Sequence, residues 1–130
     1  MIKDQVLEEK VFFVNRALLK QYADTSGDQN PIHQDEAFAK SVGLPDVIAH
    51  GMLTMALVGK YVTEIAGGSA NVLELGGRFT KPVIVPAGTD VDITVIATVS
   101  DVVDGRASLS LVATSAGVKV LGMAKAVITL

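Results

Sequence analysis

The chain has 130 residues, of which 49% are apolar and 19% charged, and its formal net charge is −3. This length suits a single domain spanning residues 1–130. Because the chain has no cysteine, disulfides, thiolate metal sites and a cysteine nucleophile are excluded. No cluster of Lys and Arg is present, so nucleic-acid binding is not expected. The high apolar fraction predicts an oligomer that buries additional surface.

The N-terminus gives no indication of targeting. Residues 1–5 are polar and lack the apolar core of a signal peptide. The most apolar helical stretch, residues 52–58, is soon followed by Lys60 and is too short to span a bilayer. We therefore expect a cytoplasmic protein that does not enter a membrane.

The first half of the chain alternates between helical and turn patterns. Residues 6–14 predict a strand, and Asn15 is a suitable N-cap for a helix with an apolar stripe. Residues 24–34 have turn chemistry throughout, which excludes regular helix there. A short helix is predicted from about Asp35 to Val42.

The segment from Gly51 to Ile65 predicts a helix that is hydrophobic nearly all round. Such a helix is normally buried. Gly67 and Gly68 follow it and predict its end.

The remaining sequence predicts strands. Residues 72–79 form the first, with a pattern that allows an extension to Val85, and residues 91–99 alternate as in a half-buried strand. Asp104-Gly105 and Ala116-Gly117 mark turns, so further strands are expected over 108–114 and 118–128.

The order of elements indicates the fold class. One strand, short helices, a buried helix and then a four-strand meander predict an α+β protein. An antiparallel sheet wrapped around one central helix fits this order, which is the hot-dog architecture. In it, the loop and helix over about 24–49 form an overhanging segment.

The most informative motif is the loop Gly27-Asp28-Gln29-Asn30-Pro31-Ile32-His33. It places a carboxylate and an imidazole five residues apart, and Pro31 restricts the backbone between them. Hydration of a carbon–carbon double bond needs a base for water and an acid for the neighbouring carbon, and histidine serves either role near neutral pH. Asp28 and His33 are therefore candidate catalytic residues. The sequence does not divide the proton transfers between them.

A structural interpretation of the same loop stays open. Asp28 and Asn30 are residues that form Asx turns, and His33 fits an ordinary surface position.

A second candidate feature opens the buried helix. An enolate that forms from a thioester needs stabilisation at its oxygen, which the free N–H groups and dipole of a helix N-terminus supply. Gly51 permits close approach of a ligand to that backbone. Alternatively, Gly51 only allows a tight helix entry, and His50 is a hydrogen-bonded core residue. Met52 and its apolar neighbours fit either an acyl tunnel or the core.

Other active-site chemistries have little support. Asp28, His33, Asp35 and His50 lack the spacing of a helical zinc site, so no metal is expected. No phosphate-binding glycine motif occurs, and Ser26 is not in a nucleophile elbow, so we expect neither a nucleotide cofactor nor a serine hydrolase.

At these residues the chain resembles the MaoC-like dehydratases, also called the hydratase 2 group, of the hot-dog superfamily. The motif that carries the resemblance comprises Tyr22, Gly27, Asp28, Asn30, Pro31, Ile32, His33 and Ala39, joined by His50-Gly51-Met52, Arg78-Phe79, Pro82-Val83 and Gly88. The resemblance covers nearly the whole chain. Thr25 departs from the aliphatic residue or glycine usual in the family, at a turn position and not at a reacting group.

The resemblance implies (R)-specific hydration of trans-2-enoyl thioesters, or dehydration of (R)-3-hydroxyacyl thioesters, in fatty acid metabolism. Coenzyme A or acyl carrier protein is then part of the substrate, and no separate cofactor is needed. Asp28 and His33 are implied as the dyad that holds water, with the Gly51 amide receiving the thioester oxygen. We assign Asn30, His50 and Met52 to substrate binding.

The resemblance also implies a quaternary arrangement. Family members pair two hot-dog units with their sheets joined, as homodimers or with a paralogous subunit that lacks the dyad. Because this chain keeps Asp28 and His33, it is expected to be the catalytic member. A hot-dog thioesterase and a non-catalytic partner subunit remain as alternative functions.

Overall fold

A computed structural model describes all residues from 1 to 130. It contains one antiparallel sheet, with the longest helix packed against it, and this confirms the predicted α+β class. The helices are α1 (Arg16–Ser26), α2 (Glu36–Ser41) and α3 (Gly51–Ala66), and one-turn 3₁₀ helices lie at Pro31–His33 and Ser69–Asn71. The strands are β1 (Lys10–Val14), β2 (Val72–Phe79), β3 (Val91–Val103), β4 (Arg106–Ser115), β5 (Val118–Lys119) and β6 (Leu121–Thr129).

The strand order corrects the predicted four-strand meander. The order is β1-β3-β4-β6-β2, so only β3, β4 and β6 follow one another as a meander. β2 pairs with β6 at one end of the sheet, and β1 occupies the free edge of β3. The chain leaves β2 at Phe79 and crosses over residues 80–90 to start β3 beside β1, so the allowed extension of β2 to Val85 does not form.

The strand ends follow the turn chemistry. Asp104 and Gly105 both have positive φ (52° and 73°), as do Ala116 and Gly117 (50° and 75°). Paired positive-φ residues match the right-handed twist of a tight hairpin. The predicted turns at both places are confirmed, although the last predicted strand is divided into β5 and β6.

Helix α3 is buried on one face only. Leu53, Val58 and Val62 belong to the core, whereas Met52 is 59% exposed and Lys60 faces solvent. The predicted burial of this helix is therefore found on the face that packs against the core. The apolar residues Met55 and Leu57 are partly buried against the core. No helix combines the length and hydropathy needed to cross a bilayer, and the cytoplasmic location stays a prediction.

Helix boundaries in the first half follow their capping residues. The Asn15 side chain accepts a hydrogen bond from Leu18 N–H (2.8 Å), and Asp35 caps α2 in the same way at Phe38 N–H (3.0 Å). α1 continues to Ser26, so the turn predicted from residue 24 begins only at Gly27, which adopts φ 83°. The residues before Gly27 extend the last helical turn because a left-handed C-cap follows them.

The segment between α2 and α3 is attached to the crossover after β2. Ala49 N–H donates to Val83 O (2.9 Å) and Val85 N–H donates to Val47 O (2.8 Å), with an isolated bridge between Ile48 and Ile84. This short ladder fixes where α3 begins. The predicted overhanging segment is thus attached to residues 83–85 of the crossover, which follow it by more than 30 positions in the sequence.

A tyrosine on α3 connects the helix to the N-terminal edge of the sheet. The Tyr61 hydroxyl donates to Glu8 O (2.9 Å) and accepts from Ala97 N–H (3.0 Å), and the side chain is buried. Both backbone groups depend on this one oxygen.

We predict that Tyr61→Phe lowers the free energy of unfolding by about 1–3 kcal/mol, because it leaves the buried Ala97 N–H without an acceptor. Urea denaturation followed by circular dichroism measures the change. Tyr22→Phe is the matched control, since the Tyr22 hydroxyl makes no hydrogen bond within the chain and should change stability little. Equal stability of the two variants would contradict the assigned role.

Candidate functional site

The loop after α1 is built from two consecutive Asx turns. Asp28 Oδ1 accepts a hydrogen bond from Asn30 N–H, and Asn30 Oδ1 accepts one from Ile32 N–H, each at 3.2 Å. Asp28 N–H itself donates to Ser26 Oγ (3.2 Å). Pro31 then opens the one-turn 3₁₀ helix that ends at His33. The turns of the structural interpretation are therefore present. The second carboxylate oxygen of Asp28 makes no hydrogen bond within the chain.

His33 is a buried residue and not a surface histidine. Only 7% of it is exposed, and its Nδ1 lies 2.8 Å from the Ile48 carbonyl oxygen. Because a carbonyl can only accept, Nδ1–H is the donor. In the neutral ring, Nε2 then carries the lone pair. The backbone of Ile48 therefore selects the tautomer in which Nε2 can act as a base.

His50 connects both candidate catalytic residues. Its ring stacks on the His33 ring with centroids 3.8 Å apart and an interplanar angle of 24°, and its Nε2–H donates to the Asp28 carbonyl oxygen (3.1 Å). Tyr22 contacts the His50 ring edge-on at 4.8 Å. The expectation that His50 is a buried, hydrogen-bonded residue agrees with these contacts. Its Nδ1, however, is buried without a hydrogen-bond partner.

These contacts bring three side chains to one point. A carboxylate oxygen of Asp28 and one ring nitrogen each from His33 and His50 all lie within 4.8 Å of one another. Asp28 is on the exposed side of this group, and the two imidazoles are on the buried side.

The surroundings of His33 favour its neutral form. Burial lowers the pKa of His33 below its usual 6.5, and the neighbouring His50 lowers it further. The Ile48 carbonyl and the Asp28 carboxylate oppose this shift without cancelling it. The ring is therefore neutral, with an available Nε2 lone pair, at neutral pH.

His33 lines a cleft of about 290 Å³ that also contains the start of α3. His33, Thr54 and Val83 are among its buried lining residues, and Phe79 and Lys81 are among the exposed ones. The complete lining consists of His33, Ile48, Ala49, Gly51, Thr54, Phe79, Thr80, Lys81, Pro82, Val83 and Val120.

Gly51 is the first residue of α3 and lies in this cleft. The N–H groups of Gly51 and Met52 are at the first two helical positions and so have no acceptor within the helix. A Cβ at position 51 would lie 3.1 Å from the Phe79 ring, so glycine here lets that ring approach the backbone. The helix dipole and the free N–H groups suit this end of the cleft to a developing negative charge.

The structure brings together some of the predicted site residues and not others. Asp28, His33 and His50 lie together, and His33 and Gly51 line the same cleft, to which neither Asp28 nor His50 contributes. The Asn30 side chain is occupied by its own turn, and Met52 faces solvent outside the cleft. The substrate-binding assignments of Asn30 and Met52 therefore have no support from the cleft geometry. The lining residues that the sequence analysis did not assign to the site include Thr54, Thr80 and Lys81. Thr80 and Lys81 lie between Arg78-Phe79 and Pro82-Val83, two pairs that contribute to the family resemblance. That position was the one indication in the sequence that they belong to the site.

Comparison with known proteins gives one family. The family model described as a MaoC like domain matches residues 1–120. The 3-hydroxyacyl-thioester dehydratase X of Mycobacterium tuberculosis is 40% identical over 77 residues, which cover 59% of this chain. The match covers only 26% of that dehydratase, so this chain corresponds to about a quarter of the curated relative.

Solved structures show the same fold over the whole chain. A protein described as a MaoC-like dehydratase superposes with a TM-score of 0.95 and 33% identity, covering 100% of this chain and 41% of the other. The R-hydratase PhaJ1 from Pseudomonas aeruginosa superposes with a TM-score of 0.84 and 28% identity, covering 99% of this chain and 81% of the hydratase. The predicted hot-dog fold is confirmed. With the family model matching nearly its full length, this chain belongs to the MaoC-like domain family.

Proposed function

We propose that this chain catalyses the reversible (R)-specific addition of water to trans-2-enoyl thioesters of coenzyme A or acyl carrier protein, in fatty acid metabolism. The observation that carries the proposal is that the Asp28 carboxylate lies close to the His33 imidazole, which lines the same cleft as the free N-terminus of α3. Relatives named as 3-hydroxyacyl-thioester dehydratase and R-hydratase support the same reaction.

The tautomer of His33 defines a division of roles in the hydration direction. Water lies between Asp28 and His33 Nε2, and Asp28 accepts one of its hydrogens in a hydrogen bond. His33 Nε2 takes the other proton as the water oxygen bonds to Cβ. The electron pair moves to the thioester oxygen, where Gly51 N–H donates to the enolate. The His33 imidazolium then returns the proton to Cα, and dehydration reverses each step.

We predict that His33→Ala and Asp28→Asn each reduce the hydration rate of crotonyl-CoA by about 10²–10⁴-fold, because each removes a group that holds or deprotonates water. Loss of the conjugated absorbance measures the rate. Lys60→Gln, on the exposed side of α3, is the control and should retain full activity.

Two results would contradict this assignment. One is near-normal turnover by either variant with its circular dichroism spectrum unchanged. The other is release of free thiol from crotonyl-CoA with no hydration, which would indicate a thioesterase. A chain that binds the thioester without converting it would instead be a non-catalytic subunit.

The pH dependence of hydration should reflect the lowered pKa of His33. The neutral ring is the base, so kcat/KM is constant above the His33 pKa and falls as pH decreases through it. Since burial lowers this pKa from 6.5, we predict that the acidic limb of the profile lies below pH 6.5. A stopped assay in buffers of constant ionic strength measures kcat/KM for hydration at each pH. An acidic limb above pH 6.5 would argue against His33 as the base.

We further propose that a second copy of the chain pairs along β2. This strand ends the sheet, none of its residues is buried, and Leu73, Leu75 and Phe79 are 44%, 37% and 56% exposed. The open face of α3 next to β2 adds Met52. An unpaired edge with apolar side chains is the kind of surface that joins another strand.

For this pairing we predict that Leu73→Glu converts a dimer into a monomer, because it places a charge at the edge that the dimer buries. Light scattering during size-exclusion chromatography measures the mass. Val11→Glu is the matched control, since Val11 is 43% exposed on β1 at the opposite edge. Dissociation by Val11→Glu alone would place the interface at β1, and a monomeric unmodified chain would indicate a different partner.

A further inference from the structure

Thr54 is a buried polar residue of α3 that lines the cleft and takes no part in the proposed proton transfers. Its exposed fraction is 3%. Among the other polar side chains of the cleft, Thr80 is exposed and donates its hydroxyl to Lys119 O (3.3 Å), and Lys81 is exposed as well. The polar side chains in the buried part of the cleft are therefore those of His33 and Thr54.

The Thr54 hydroxyl has no hydrogen-bond partner within the chain. A helical threonine commonly donates its hydroxyl to the carbonyl three or four residues earlier. The carbonyl four residues before Thr54 is that of His50, which already accepts from Leu53 N–H (3.1 Å) and Thr54 N–H (3.3 Å). Since a carbonyl oxygen has two lone pairs, the usual acceptor is already occupied.

This hydroxyl is open to the cleft. His50 Nδ1 is the polar side-chain atom that is both fully enclosed and unpaired. The Thr54 hydroxyl is also unpaired but is not enclosed in this way, so it keeps accessible surface, and the space beside the residue is the cleft. Because an unpaired polar group in a buried position is unfavourable, the hydroxyl needs an acceptor from solvent or from a ligand.

The geometry of α3 directs this hydroxyl toward the start of the helix. Gly51 and Thr54 are three positions apart and therefore lie on the same helical face. The Cα–Cβ bonds of an α-helix tilt toward its N-terminus, so the Thr54 side chain leans toward Gly51 N–H. Both residues line the cleft. A hydroxyl donor and a backbone donor thus lie near each other at the positive end of the helix dipole.

We propose that the Thr54 hydroxyl donates a second hydrogen bond to the thioester oxygen, beside the one from Gly51 N–H. This inference rests on the proposed function, in which negative charge develops on that oxygen as water adds to Cβ. Side-chain donors combined with backbone N–H groups stabilise such an oxygen in enzymes that form an oxyanion. The bond strengthens as the enolate forms, so its loss affects kcat more than KM.

Thr54→Val removes the hydroxyl and keeps the shape of the side chain. We expect kcat for hydration of crotonyl-CoA to fall about 100-fold, with a change in KM of less than about threefold. Thr54→Ser restores the donor and should recover most of the lost rate. Thr63→Val makes the same change further along α3 and outside the cleft, so it is the matched control and should keep full kcat.

The free energy of unfolding separates this role from a structural one. Because the hydroxyl makes no hydrogen bond within the chain, Thr54→Val should be at least as stable as the unmodified chain in urea denaturation. A structural role predicts the opposite, a less stable variant that Thr54→Ser does not rescue. That result would overturn the proposal, and so would full kcat in a folded Thr54→Val variant.

A measurement without turnover makes the test independent of the proposed function. Butyryl-CoA has the thioester carbonyl but no double bond to hydrate. Donors polarise a carbonyl and lower its stretching frequency, so infrared difference spectra of bound butyryl-CoA, isotope-labelled at the carbonyl, should show a smaller downward shift with Thr54→Val than with the unmodified chain.

The two hypotheses then fail in different ways. If the spectra differ but no enoyl thioester is hydrated, the proposed function is refuted and the contact from Thr54 is retained. If hydration proceeds and the spectra of the two proteins agree, the contact from Thr54 is refuted and the proposed function is retained.

Discussion

The backbone of Ile48 is the constraint on which the site depends. Its N–H donates to Ile32 O (3.2 Å), and its carbonyl oxygen accepts from His33 Nδ1 (2.8 Å). The same residue bridges to Ile84 on the crossover. One peptide segment therefore orients the imidazole, selects its tautomer and positions the start of α3. Because the segment is paired on both sides, the distance between His33 and Gly51 is fixed by hydrogen bonds and not by loop stiffness alone.

His50 has a different part in the same arrangement. It stacks on His33 and donates to the Asp28 carbonyl, so it limits the movement of the loop at both ends of the Asp28–His33 pair. The cost is a buried Nδ1 without a partner. Polar groups left unpaired in a folded core are uncommon. His50 therefore helps to position Asp28 and His33. It is not among the residues that line the cleft.

The sequence predicted the features whose causes are local. Asn15, Asp35 and Gly67 set helix ends because each acts through its own side chain or backbone conformation within a few residues. The loop from Asp28 to His33 was likewise identified from adjacent residues. The closeness of Asp28 and His50, in contrast, depends on a contact between residues 22 positions apart, which local patterns do not show.

Features set by distant pairing could not be predicted from periodicity. β2 has the same strand pattern whether it pairs with β3 or β6, and the choice is made by the crossover and by β1 occupying β3. The sequence of α3 also does not predict which face is open, since an apolar residue such as Met52 is equally suited to a core and to an interface. Lys81 enters the cleft only because residues 83–85 pair with residues 47–49.

The loop from Gly27 to His33 holds the two candidate catalytic residues, and its residues Asp28 and Asn30 are separate from the hydrophobic core. Asp28 and Asn30 are exposed, their hydrogen bonds are to Ser26, to their own loop and to His50, and the hydrophobic core contains neither. Substitutions at these two positions therefore remove little buried surface. After a gene duplication, one copy could lose Asp28 while its β2 edge and core stayed intact. The proposed chemistry would then be absent from one member of the proposed pair, and the β2 edge proposed to join the two copies would remain.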